Sequence, residues 1–210
     1  PTVPRRAAIV ADMDGAACHQ SVLDGVTRAA DALAAAGWEV VEATPPELPH
    51  CTDVWAHLLA NDIGVMMTFA RPLLSGELAV VLDGLVEQYP PEVMAPATAH
   101  TEYVRLARLW ALFFVEHPVL VTPIWTQPPF PHGFDLGEEA TDRITGILRY
   151  ITPPNLLGLP SVAVPVGVAD GLPQGVQCIA DRWRDDLALT TAADIEAALG
   201  TITPIDPITG

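Results

Sequence analysis

A chain of 210 residues can bury a substantial core, and with half of them hydrophobic it is not the composition of a disordered segment. A net charge of −16 excludes the clustered cations that phosphate neutralisation requires, so nucleic acid is not an expected partner. No apolar run reaches the roughly 18 residues of a membrane span; the longest, LWALFFVEHPVLV at 109–121, is broken by Glu116, His117 and Pro118.

In chain order, AAIVAD (7–12) reads as a buried strand. The stretch 21–37 reads as a helix, started by a capping-box-like Ser21 and Asp24 and stopped by Gly37. WEVVEA (38–43) follows as a second strand, and the order predicts a crossover onto a parallel pair. From 53 to 117 three helices are predicted from apolar residues at three- and four-residue spacing, separated by Pro72 and the pair at 90–91. VLVTPIW (119–125) is a further buried strand running into the proline-rich loop TPIWTQPPFPHGFD, with a helix expected near 138–150. A last helix spans 185–200. No repeat or low-complexity linker marks an internal domain boundary.

The stretch 151–180 holds many helix and strand breakers around two apolar runs. PSVAVPVG (160–167) and GVQCIA (175–180) lack polar alternation, so both are expected to be strands buried on two faces. Asp170-Gly171 between them is a hairpin signal. TPPNLLGLP ahead of them is expected to be a rigid loop, with Pro153, Pro154 and Pro160 fixing φ and Asn155 bonding the backbone they leave unpaired.

Little chemistry is visible outside that stretch. Cys18, Cys51 and Cys178 are odd in number and form no CxxC, which predicts free thiols. His50, His57, His100, His117 and His132 have no metal-binding spacing. The acid pairs Glu138-Glu139 and Asp185-Asp186 precede helices, where they complement the dipole. Met66-Met67 and Phe113-Phe114 are expected to be core or cleft lining. All ten basic residues are arginines, and the only serines are Ser21, Ser75 and Ser161. Ser21 reads as a helix cap, Ser75 follows a helix end and Ser161 lies in an apparently buried strand. No lysine base is present, and no serine sits in a glycine-rich loop or nucleophile elbow. Without a secretion signal the expected compartment is cytoplasmic. The start at PTVPRR, without Met, suggests a processed or truncated product.

The ordered series TPPNLLGLPSVAVPVG, DGLPQGVQ and DDLALTTAADIE resembles the C-terminal hallmark of the amidase signature family. VLVTPIWTQPPF, AGWEVVEATPP and PIDP (204–207) extend the resemblance along essentially the whole chain. It implies an α/β class fold, with residues 1–210 as the C-terminal portion of a single α/β/α sandwich around a mixed sheet. It also implies carboxamide hydrolysis without metal or cofactor, by a serine nucleophile, a second serine in a cis peptide and a lysine base. In the family those groups lie in an N-terminal half that this chain lacks, so no catalytic residue is assigned here and the chain alone is expected to be inactive. The implied partners are that catalytic half and a small-molecule amide, neutral or anionic; a homodimer is left open. Thr122, Pro123 and Trp125 would approach the acyl pocket, unless they form a proline-rich surface loop with a packed tryptophan. Thr152 and Asn155 would border the pocket, unless they staple the loop. Gln177 is expected to satisfy backbone groups or a neighbouring element. The competing reading is a non-catalytic remnant acting as a binding module. An amidotransferase-like subunit is a third, disfavoured by the absence of a basic surface.

Overall fold

The computed structural model describes residues 4–10, 18–137 and 139–201. Of the sequence expectations, the PIDP motif, Glu138 and the end of the first strand at residues 11 and 12 lie outside the described residues.

β1 (Arg6–Ile9), α1 (Gln20–Ala35) and β2 (Glu39–Glu42) form the predicted strand–helix–strand unit, and β1 pairs parallel to β2. The start of α1 differs from the expectation. His19, not Ser21, is the N-cap, its Nδ1 accepting from the Ser21 backbone N–H at 3.3 Å, while Asp24 accepts from Gln20 Nε2 at 2.9 Å. An imidazole nitrogen two residues back does the work usually given to a hydroxyl. Gly37 ends the helix with φ of 84°, as predicted.

α2 (Leu48–Ala70), α3 (Gly76–Gln88) and α4 (Pro96–Glu116) follow. α2 begins before residue 53 because Pro49 fits a first helical turn, where its missing N–H costs nothing. Ser75 caps α3, accepting from Leu78 N–H at 3.2 Å. Met67 is buried and Met66 is 48% exposed, so the methionine pair divides between core and surface. Phe114 is core and Phe113 packs against it.

β3 (Val119–Pro123) is fully buried. α5 (Ala140–Ile147) is the short helix expected near 138–150. The predicted rigid loop is instead a short helix, α6 (Thr152–Leu157), with prolines in its first turn and Gly158 closing it at φ of 63°. Asn155 consequently sits in a helix, donating its N–H to Ile151 O at 3.3 Å, and its side chain accepts from Trp55 Nε1 rather than from the backbone.

β4 (Ser161–Ala169) and β5 (Leu172–Ala180) form the predicted antiparallel hairpin. Its two-residue turn places Asp170 at φ of 51° and Gly171 at 76°, the left-handed conformation a tight hairpin needs. α7 (Asp185–Leu199) closes the described fold.

The five-stranded sheet has order β2-β1-β3-β5-β4. β1 is parallel to both neighbours, and β5 is antiparallel to both of its own. On one face, Val119, Val121, Val176 and Cys178 pack against Leu33 of α1 and Ile195 of α7. On the other, Ala8, Leu120 and Ile179 meet Leu106 and Trp110 of α4 and Leu157 of α6. A smaller cluster, including Ile63, Met67 and Leu85, holds α3 against α2. The result is a mixed sheet between two helical layers.

Burial of both strand faces holds for the second half of β5 but not for β4. β4 is an edge strand: Val164 and Val166 are buried, whereas Ser161, Ala163 and Pro165 face outward. The alternation is invisible in sequence because alanine and proline stand where polar residues would announce an open face. An edge also explains how a strand tolerates Pro165.

Candidate functional site

β1 and β3 lie side by side and parallel, yet the chain leaves β1 toward β2 on one flank and returns to β3 on the other. Such a reversal opens a crevice at the carboxyl ends of the two strands, the place where open α/β sheets hold ligands. Here the segment entering α1 and the loop after β3 are tied together, with His19 N–H donating to Thr126 O at 2.8 Å.

A groove of about 380 Å³ lies at this end of the sheet. Ser21 and Val22 of α1 form one side, residues 124–130 another, and Leu172 to Gly175 beside the hairpin turn the third. Its most ordered wall is aromatic. The rings of Trp125 and Phe130 are 5.1 Å apart, Phe130 stacks on Phe134 at 4.5 Å, and the Arg143 guanidinium covers Phe134 at 5.5 Å. Arg143 also donates to Phe134 O and Leu136 O, which fixes the column from behind.

Behind the groove one side chain joins four segments. Gln177 is 4% exposed, and its Nε2 donates to Thr122 Oγ1 at 2.9 Å, Pro123 O at 3.1 Å and Tyr150 O at 2.7 Å. Ser161 Oγ donates to Gln177 Oε1 at 3.0 Å. The carboxamide therefore pins the end of β3, the segment leading into α6 and the start of β4 to β5. Beyond it lies a second hollow of about 350 Å³, bordered by Ile124, Asn155, Leu159, Ser161, Ala163 and Gln177 among others.

Among the described residues, neither hollow is lined by a charged side chain. Ser21 Oγ lies 2.7 Å from His19 Nδ1, a contact that resembles a nucleophile and its base. No carboxylate bonds the imidazole among the described residues, and the same nitrogen already caps α1, so the pair is accounted for as a cap. The thiols are poor nucleophiles: burial pushes Cys18 up to about 11 and Cys51 and Cys178 up to about 12. No group of His, Cys, Asp and Glu that could hold a metal is found among the described residues.

The family model described as Amidase matches residues 3–189. The chain belongs to the amidase family. Over 200 residues it is 33% identical to an indoleacetamide hydrolase of Bradyrhizobium japonicum, covering 93% of this chain and 42% of that protein. A 6-aminohexanoate-cyclic-dimer hydrolase of Pseudomonas sp. (strain NK87) is 29% identical over 81% of this chain and 39% of its own. Among solved structures, a fatty acid amide hydrolase superposes with a TM-score of 0.73 at 17% identity, over 93% of this chain and 40% of that one. A bacterial aryl acylamidase does so with 0.70 at 20% identity, over 93% and 44%. At such identities the structural likeness speaks for the fold. The chain spans less than half the length of these curated relatives.

Of the five residues singled out from sequence, Trp125 lines the groove and Asn155 borders the second hollow. Thr122 and Pro123 are buried in β3 beneath both, held by Gln177. Thr152 is buried on α6, its hydroxyl 2.7 Å from that of Thr52 on α2. Three of the five thus support the walls without reaching either hollow. Sequence reasoning missed Ile124, which borders both hollows, and Phe130 and Pro173. Phe130 had a signal in the run QPPF. Pro173 had none, because its place beside the loop depends on how β5 pairs with β3.

Proposed function

We propose that this chain is the C-terminal portion of an amidase that hydrolyses a small-molecule carboxamide to a carboxylate and ammonia or an amine. The single observation that carries the reading is the family match over residues 3–189 in a chain without lysine. A serine hydroxyl attacks an amide only when a neighbouring base takes its proton, and a desolvated lysine is one such base. Nucleophile, base and oxyanion donors would come from a preceding segment or a second chain. The part played here is to complete the sheet and to hold the loop after β3 and the start of α6 in fixed register through Gln177. Cofactor-free catalysis in the cytoplasm belongs to the same proposal.

Large apolar side chains left in solvent support this reading over a self-sufficient binding module. Phe69 is 80% exposed, Leu73 86%, Val115 77% and Trp183 91%. An isolated module gains nothing from such surface, whereas a partner segment would cover it. Trp183 also holds φ of 64°, a backbone conformation uncommon for a bulky residue.

The test is an intact-mass measurement of every polypeptide in a native preparation, followed by reaction with a fluorophosphonate serine probe and an amide panel. A longer or second, lysine-containing polypeptide that takes the probe and releases carboxylate is the expected result. A lone 22.3 kDa chain with no hydrolysis in its native preparation would overturn the proposal and leave the binding module.

A further inference from the structure

We infer that the groove beside Trp125 holds a neutral, planar aromatic group, and that Trp125 and Phe130 determine this preference. The inference rests on the amidase reading only in taking that group to be part of a carboxamide substrate.

Four observations lead there. The first is shape: at about 380 Å³ the groove lies at the small end of ligand sites, about 300–1,000 Å³, which suits a one- or two-ring group better than a long chain. The second is the wall. Trp125 and Phe130 lie tilted by 44° and continue into the Phe130–Phe134 stack, so the wall offers ring faces and edges to a further ring. Pro128, Pro129 and Pro173 add rigid apolar surface that loses no rotamer freedom when covered.

The third observation is charge. None of the described lining side chains is ionised, and few polar atoms are among them. Ser21 Oγ contacts His19 Nδ1, Gln127 is exposed, and Gln174 Nε2 donates to Ser21 O while its buried Oε1 has no partner among the described residues, an acceptor for a neutral N–H. A carboxylate placed there would lose its water without gaining a cationic partner among the described residues, and a single amide oxygen, Gln174 Oε1, is too little to replace the water shell of an ammonium. The net charge of −16 further repels an anionic group.

The fourth is depth. Ile124 comes against the groove because residue 175 has no side chain: a Cβ there would stand 3.2 Å from Ile124 Cδ1 and 3.4 Å from Val164 O. Backbone on one side leaves Ile124 to yield, so Gly175 sets how far the floor recedes.

Equilibrium binding to the native protein tests this without any turnover, with 1-naphthylacetamide, hexanamide and 4-carboxyphenylacetamide as probes. The naphthyl amide is expected to bind at least about tenfold more tightly than either of the others. Trp125→Leu and Phe130→Leu should each cost the naphthyl amide about five- to tenfold and hexanamide about twofold or less. Gly175→Ala, which leaves both aromatic residues in place, should weaken the naphthyl amide while circular dichroism stays native. Equal binding of hexanamide, or Trp125→Leu and Phe130→Leu variants that fold and keep the preference, would overturn the inference, as would no binding of the naphthyl amide at millimolar concentration. Naphthyl preference with no amide hydrolysis by the native preparation would sink the amidase reading and leave the groove assignment standing. Hydrolysis without aromatic preference would do the reverse.

Discussion

Gln177 makes its hydrogen bonds inside the protein, its two Nε2 protons shared among Thr122 Oγ1, Pro123 O and Tyr150 O and its Oε1 accepting from Ser161 Oγ. Replacing it by leucine removes the buried donor it offers to Thr122 Oγ1, Pro123 O and Tyr150 O; Pro123 O keeps the Thr122 hydroxyl at 2.8 Å, so the loss is that of part of a buried network, about 1–3 kcal/mol in all. Gln177→Leu should therefore lower the urea midpoint by a margin well outside that of a surface substitution, with an unchanged m-value; an unaltered midpoint would refute the assigned role. The three thiols make a second expectation. An ordinary thiol titrates near about 8.5, and burial holds these at about 11 to 12, so the folded chain keeps protons that the unfolded chain releases. Stability from this source is intact below pH ~8.5 and falls as pH rises from there toward 12. A disulfide reagent at pH 8 should label Cys51 and Cys178 only after denaturation, and the half-buried Cys18 ahead of them; rapid labelling of Cys178 in the native protein would contradict its burial. Much at this scale was legible. Gln177 stood out as an amide inside an apolar strand, while the His19 cap did not, because any imidazole near a helix start looks the same in sequence.

Among the elements, α3 and α5 meet through Gly84, where a Cβ would fall 2.8 Å from Thr141 Oγ1. That hydroxyl donates to Val81 O, so it cannot simply swing away without stranding a bond. Gly84→Ala should thus destabilise the protein despite the roughly 1 kcal/mol gained in helix propensity. Gly146→Ala in α5, with nothing within 4 Å, should stabilise it by about 0.5–1 kcal/mol. Thermal melts of the two variants are expected to shift in opposite directions. Shifts of the same sign would show that the close approach at Gly84 relaxes at no cost. Elements with strong local signals, such as α1, α7 and the Asp170-Gly171 hairpin, were readable from pattern. α6 was not, since prolines that forbid a helix interior are welcome in its first turn. The open face of β4 was hidden for a related reason: Ala163 and Pro165 carry no polarity to mark it.

For the whole molecule, the sequence order of strands says little about their order in the sheet. That β3 would slot between β1 and β5, and so create the crevice beside Trp125, depends on pairings between distant segments. Local pattern contains no record of them. The family resemblance supplied the fold class that periodicity could not, and the groove itself became visible only when three separated segments came together.

The placing of β1 has a consequence in time. Residue 7 finds its β3 partner at residue 119, whereas β4 and β5 are joined by a two-residue turn. Closing a long loop costs chain entropy before any contact repays it, and pairings between distant residues are slow to form. Hairpins close on a scale of about 1–10 μs. In pulse-labelled hydrogen exchange during refolding, β5 amides should gain protection before those of β1; the opposite order would show that the sheet grows from its parallel side. During synthesis the same geometry makes β1 wait for a strand made more than half of these 210 residues later.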